Sequence, residues 1–121
     1  MSKTITKPWG SYEDFYRDYQ VVMKRIIIAQ GQSISYQVHS KRSEFWYIAA
    51  GKGQFKFGPE SAPLENYSVS TVIKGQTVEI AAGMAHQIKN IGNDSLIIFE
   101  MQYGECSEED ITRLDDPYKR V

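Results

Sequence analysis

What most constrains this chain is that no apolar segment runs long enough, or with the right period, to build a helix. Segments rich in Val, Ile, Tyr and Phe over residues 21–29, 33–39, 44–50, 54–57, 67–73, 77–81, 86–90 and 96–103 are each broken by turn residues. The breaks are Gly31, Gly51, Gly53, Gly58-Pro59, Lys74-Gly75, Gly83 and Gly92-Asn93-Asp94. β-branched and aromatic runs at this spacing, punctuated by glycine, predict an all-β fold, either a sandwich or a barrel of mostly antiparallel strands. Pro59 and Pro63 fall in what reads as a hairpin loop. One short helix is expected near the C-terminus, where Ser107 offers a cap and Glu108, Glu109 and Asp110 suit the positive end of a helix dipole.

The chain has 121 residues, the size of one domain with a real core, so residues 1–121 are read as a single unit. Its composition, 41% hydrophobic and 24% charged, is that of an ordinary globular protein. A net charge of −1 gives no electrostatic reason to expect nucleic acid as a partner, because that binding rests on clustered Lys and Arg against phosphates. The N-terminal residues hold no apolar run suited to a signal peptide or membrane span, so no membrane association and a cytoplasmic location are expected. The single cysteine, Cys106, cannot form an internal disulfide, which fits a reducing compartment.

Candidate chemistry gathers in a few residues. Gln37 and His39 are two apart on an expected strand, so their side chains leave the same face. Glu44 follows a short turn and opens the next strand, and His86 opens another far along the chain. Taken singly, each is an ordinary polar residue. Together their imidazole nitrogens, carboxylate oxygen and amide oxygen form a donor set suited to one divalent metal, with zinc first and Mn, Co, Ni or Fe as alternatives.

The spacing also carries a resemblance. Gly31, then Gln37-x-His39, Glu44 and Gly51 resembles the first cupin motif, with Gln where many cupins carry His. Gly75, Ala81-x-Gly83, His86 and Asn90 is similar to the second, with Ala81 where Pro is usual. The implied fold is the double-stranded β-helix, or jelly-roll barrel, with the metal inside. A narrower likeness spans almost the whole chain. Residues 7–13 (KPWGSYE), 37–46 (QVHSKRSEFW) and the closing EDITR and DPYKR segments resemble type II mannose-6-phosphate isomerases, which also occur as C-terminal domains of mannose-1-phosphate guanylyltransferases. That family usually carries histidines where this chain has Ser40, Lys41 and Phe45.

The resemblance implies a metal-dependent aldose–ketose isomerase acting on a small sugar phosphate. Arg42, Lys41 and Arg120 are the candidate phosphate contacts, Arg113 being a further cation of the same tail. Trp9 and Trp46 could stack on sugar faces or simply fill the core. The sequence singles out no general base, so the catalytic residue stays unassigned. Two other readings remain: a non-catalytic sugar or sugar-nucleotide binding cupin that keeps the metal, and an iron cupin doing oxygen chemistry. By analogy with other cupins a homodimer is expected.

Overall fold

The computed structural model describes residues 3–107 and 109–118. Eleven strands run in chain order as β1 (Thr4–Lys7), β2 (Gly10–Arg17), β3 (Val21–Ile28), β4 (Tyr36–Val38), β5 (Arg42–Ala50), β6 (Lys52–Pro59), β7 (Ser68–Ile73), β8 (Thr77–Ile80), β9 (Met84–Asn90), β10 (Leu96–Gly104) and β11 (Thr112–Asp115). They form two sheets, one ordered β1-β2-β3-β10-β5-β8 and the other β11-β4-β9-β6-β7. Every strand pairing in them is antiparallel.

The strand period of two decides what lies between the sheets. In β3 the inward phase is Val22, Lys24, Ile26 and Ile28, and in β10 it is Leu96, Ile98, Glu100 and Gln102. Aliphatic members of these rows join Trp46, Ile48, Phe55, Ile80 and Ile88 in one core cluster. Burying side chains of this kind removes roughly 1.5–3 kcal/mol of exposed apolar surface each. The same rows turn polar toward one end. Register places Lys24, Glu100 and Trp46 side by side, and next to them Val22, Gln102 and Glu44. One end of the barrel is thus oily and the other is lined with ionisable groups.

The five-stranded sheet is covered on its outer face. Tyr36 and Val38 turn away from the main core to meet Tyr67, Ala85 and the loop residues Ala62 and Leu64. That loop contains the 3-10 turn Leu64–Asn66. The outer face of the six-stranded sheet instead keeps Met23, Tyr47, Phe99, Met101 and Tyr103 exposed.

The expected all-β architecture is present, with three strands more than the apolar segments indicated. β1, β2 and β11 are polar or interrupted, and they gain their order by pairing with β3 and β4. The expected strand over 33–39 shrinks to β4 plus an isolated bridge between Ser33 and Lys89. The short C-terminal helix is absent among the described residues. Ser107 Oγ does accept the Glu109 amide, but only one turn closes, from the Asp110 amide to the Ser107 carbonyl. Glu108 lies outside the described residues. The Asp110 carboxylate is drawn instead to the Ser40 and Lys41 amides, and the next residues pair with β4. Tertiary ladder bonds win over a local helix too short to sustain itself. No helix among the described residues is long and apolar enough to cross a membrane.

Candidate metal centre

At the polar end, His39, Glu44 and His86 converge, each offering one donor atom within 4.8 Å of the others. All three are deeply buried, with His86 at 0% and Glu44 at 1% exposure. His86 is held by β9, across from Gln37 in β4. His39 follows β4 directly, its carbonyl accepting the Gly83 amide at 2.8 Å and so tying the turn before β9 to the site. Glu44 points inward from β5 beside Trp46, whose indole N–H donates to its Oε1 at 3.1 Å.

Hydrogen bonds behind the two imidazoles set their tautomers. Nδ1 of His39 lies 2.6 Å from the Asp110 carbonyl, and Nδ1 of His86 lies 3.2 Å from the Met84 carbonyl. A carbonyl can only accept, so each Nδ1 carries the hydrogen and each Nε2 turns its lone pair toward Glu44. Burial first, then the Arg42 charge and His86, lowers the pKa of His39 to about 4. Burial likewise takes His86 to about 4. Both rings are therefore neutral at pH 7, and the 3.3 Å contact between His39 Nε2 and Glu44 Oε2 is not an ion pair.

This donor set fits a divalent cation. Nε2 of His86 is buried with no hydrogen-bond partner, 3.8 Å from Glu44 Oε1. Leaving such a nitrogen unmatched costs about 1–3 kcal/mol, which a bound ion would relieve. Gln37 reaches the same place with its amide nitrogen 3.4 Å from His39 Nε2, while its oxygen takes the Ser35 hydroxyl at 3.0 Å. Turning the amide over brings the oxygen to the cluster, and a hydroxyl can accept as readily as it donates.

Arg42 lies among these groups. Its side chain donates to Glu44 Oε2 and to His39 Nε2 at 3.2 Å, and a further nitrogen donates to the Ser107 carbonyl at 3.2 Å. The expected phosphate contact is thus buried and already engaged. Lys41 is exposed, its amide bound to Asp110, and Arg120 lies outside the described residues. Burial alone would raise the Asp110 carboxyl, but the Ser40 and Lys41 amides and the Ser40 hydroxyl outweigh it and hold the pKa below its ordinary value. That clamp fixes the loop from His39 to Arg42.

The cluster opens into a cavity of about 220 Å³. Reading the sequence missed several of its lining groups: Lys7, Tyr12, Lys24, Glu100 and Gln102. Their signal was present, since Lys24 and Glu100 sit in the apolar phase of their strands, where an ordinary surface charge would not be placed. Glu100 accepts from the Trp46 indole at 2.8 Å and from the Gln102 amide at 2.7 Å. Burial, reinforced by Glu44, pushes its pKa up to about 7.

Two packed antiparallel sheets, with a histidine–carboxylate cluster at one end of the barrel, define a cupin domain. Solved double-stranded β-helix structures agree. The capsular polysaccharide assembling protein CapF of Staphylococcus aureus superposes with a TM-score of 0.83 at 18% identity, covering 95% of this chain and 34% of that one. An uncharacterized double-stranded β-helix protein of Klebsiella pneumoniae gives 0.72 at 16% identity, covering 94% of this chain and 81% of that one. The chain belongs to the family described as mannose-6-phosphate isomerase C-terminal, which matches residues 1–116. A mannose-1-phosphate guanylyltransferase of Salmonella montevideo is 34% identical over 121 residues, 98% of this chain. The chain spans about a quarter of the length of the curated relatives it matches.

Proposed function

We propose that this domain isomerises a phosphorylated aldose and ketose, with mannose 6-phosphate and fructose 6-phosphate as the pair, around one divalent ion held by Gln37, His39, Glu44 and His86. The observation that carries the reading is the set of buried donor atoms of His39, Glu44 and His86 within 4.8 Å of one another on a cavity wall. Zinc suits two imidazoles and a carboxylate, and Mn, Co, Ni or Fe would also be accepted. When bound, such an ion supplies Lewis acidity to the carbonyl and hydroxyl oxygens of the sugar. Membership of the family and the biosynthetic relatives support placing the reaction in the supply of sugars for polysaccharide.

The chain's own groups do the rest. The Asp110 and Met84 carbonyls hold the two imidazoles in one tautomer, with the lone pairs facing inward. Isomerisation moves a proton between neighbouring carbons, so a proton carrier must face the cavity. Glu100 lines the cavity outside the metal cluster, and its carboxyl is held by Trp46 and Gln102, so it takes that role in this proposal. Ile26, Ile28, Ile34 and Ile98 on the remaining wall limit water around the reacting carbons.

Incubating the purified chain with either hexose 6-phosphate, with and without Zn, Mn or Co, tests the reading. Interconversion that a chelator abolishes, and that Glu100→Gln lowers at least 100-fold with metal content intact, is the expected result. The presence of Ser40, Lys41 and Phe45 where the family carries histidines favours one alternative, a sugar-binding cupin without turnover. Binding of the sugar phosphate with no interconversion under any metal would select that alternative.

A further inference from the structure

Arg113 is the cation in the cavity that the metal centre leaves unused. It sits on β11 in register with Gln37, which in turn is in register with His86, so these three side chains leave one face of the sheet in a row. Its Nε is buried without a hydrogen-bond partner, and its guanidinium joins no ion pair among the described residues. A buried, charged donor left unmatched is costly, and an anionic acceptor is what it lacks. Arg42 differs, since its guanidinium is already bonded to Glu44, His39 and the Ser107 carbonyl.

The neighbouring wall adds positive charge. Lys24 and Lys7 line the same cavity, and both ammonium groups lie over the Tyr12 ring, at 4.2 and 5.9 Å from its centre. Two carboxylates temper this field: Asp14, with Oδ1 3.8 Å from Lys24 Nζ, and Glu100, beside Lys24 in register. Arg113 is separated from His86 by a single strand, so an anion on it lies roughly 5–10 Å from the metal cluster. That spacing suits a ligand whose carbonyl end meets the cluster while its far end carries the charge.

We propose that Arg113, flanked by Lys7 and Lys24, forms the phosphate subsite of this cavity and selects phosphorylated over neutral sugars. The assignment rests on the isomerase reading for the identity of the sugar, and not for the anion. The guanidinium fork donates two parallel hydrogen bonds to phosphate oxygens, and the lysines supply field without fixed geometry.

The test uses the full chain, metal-loaded, with calorimetric titration of mannose 6-phosphate, mannose and inorganic phosphate. Arg113→Gln should weaken mannose 6-phosphate and inorganic phosphate roughly 10- to 100-fold, leave mannose unchanged and leave metal content unchanged. Arg113→Lys should lose less, because charge survives without the fork, and Lys7→Gln should cost only a few-fold. In the wild-type chain the Arg113 Nε–H resonance, assigned by its loss in Arg113→Lys, should move on adding inorganic phosphate, a readout independent of how well the variants fold. Wild-type affinity for the sugar phosphate in Arg113→Gln, a resonance that ignores phosphate, or no phosphate binding by the wild-type chain at millimolar concentration would each overturn the subsite. Binding through Arg113 without interconversion keeps the subsite and removes the isomerase.

Discussion

His86 Nε2 has a lone pair that no described group satisfies, in the driest part of the barrel. Replacing His86 by Ala should drop bound metal from about one ion per chain to near zero in elemental analysis. The β signature in circular dichroism should persist, since truncating one side chain at the barrel's polar end removes only about 1–3 kcal/mol. Metal retained in His86→Ala would reject the site. Titration offers a second check at this scale, made on chelated protein. Glu100 is raised from 4.5 to about 7, so the folded state binds its proton more tightly; the stability it contributes is complete below pH 4.5 and lost as pH rises through 7. His39 and His86 are lowered from 6.5 to about 4, so their contribution is complete above pH 6.5 and lost as pH falls through 4. Stability should therefore peak near pH 6.5, and Glu100→Gln should flatten the alkaline decline by about 2–3 kcal/mol between pH 6 and 8. Urea unfolding at both values checks this, and parallel profiles for the two proteins would count against it. Gln37, His39, Glu44 and His86 were legible from spacing alone, because a strand's alternation and two motifs fix them. Glu100 and Lys24 were legible only in hindsight, as charges in an apolar phase, since one sequence does not say which face of a strand meets a partner.

At the scale of elements, the N-terminal hairpin shows how packing orders what propensity does not. Gly10 opens β2 at φ +151°, and a Cβ there would lie 2.0 Å from the Ile27 carbonyl oxygen of β3. No side chain fits without moving the β3 backbone. Gly31, at φ +76°, has no atom within 4 Å of its would-be Cβ and stores only conformational strain. Gly31→Ala should thus cost about 1–2 kcal/mol, and Gly10→Ala at least twice as much, in denaturant unfolding. Equal costs would mean that the close approach of β2 to β3 is not what this hairpin depends on. The lost C-terminal helix follows the same logic in reverse. Ser107 and the acidic residues after it suit a helix cap, but Asp110 holds Ser40 and Lys41, and Thr112 and Arg113 extend the sheet beside β4.

For the whole molecule, a metal that binds only the folded chain raises stability by mass action, about 2.7 kcal/mol when it is present at 100 times its dissociation constant. For a domain of this size that corresponds to an upward shift of roughly 10 °C in Tm. Chelation should reverse the shift in the wild-type chain and leave His86→Ala unchanged; equal responses in the two would place the ion elsewhere. The sequence by itself determined the all-β class and the four candidate ligands, because strand alternation and motif spacing are local and survive without knowledge of neighbours. The polar end of the barrel was settled only in three dimensions. Lys24, Glu100 and Arg113 come from β3, β10 and β11, and it is the pairing of these strands that turns them onto one cavity. The helix that failed to form was decided there too, since a few residues of local preference yield to ladder bonds made with distant strands.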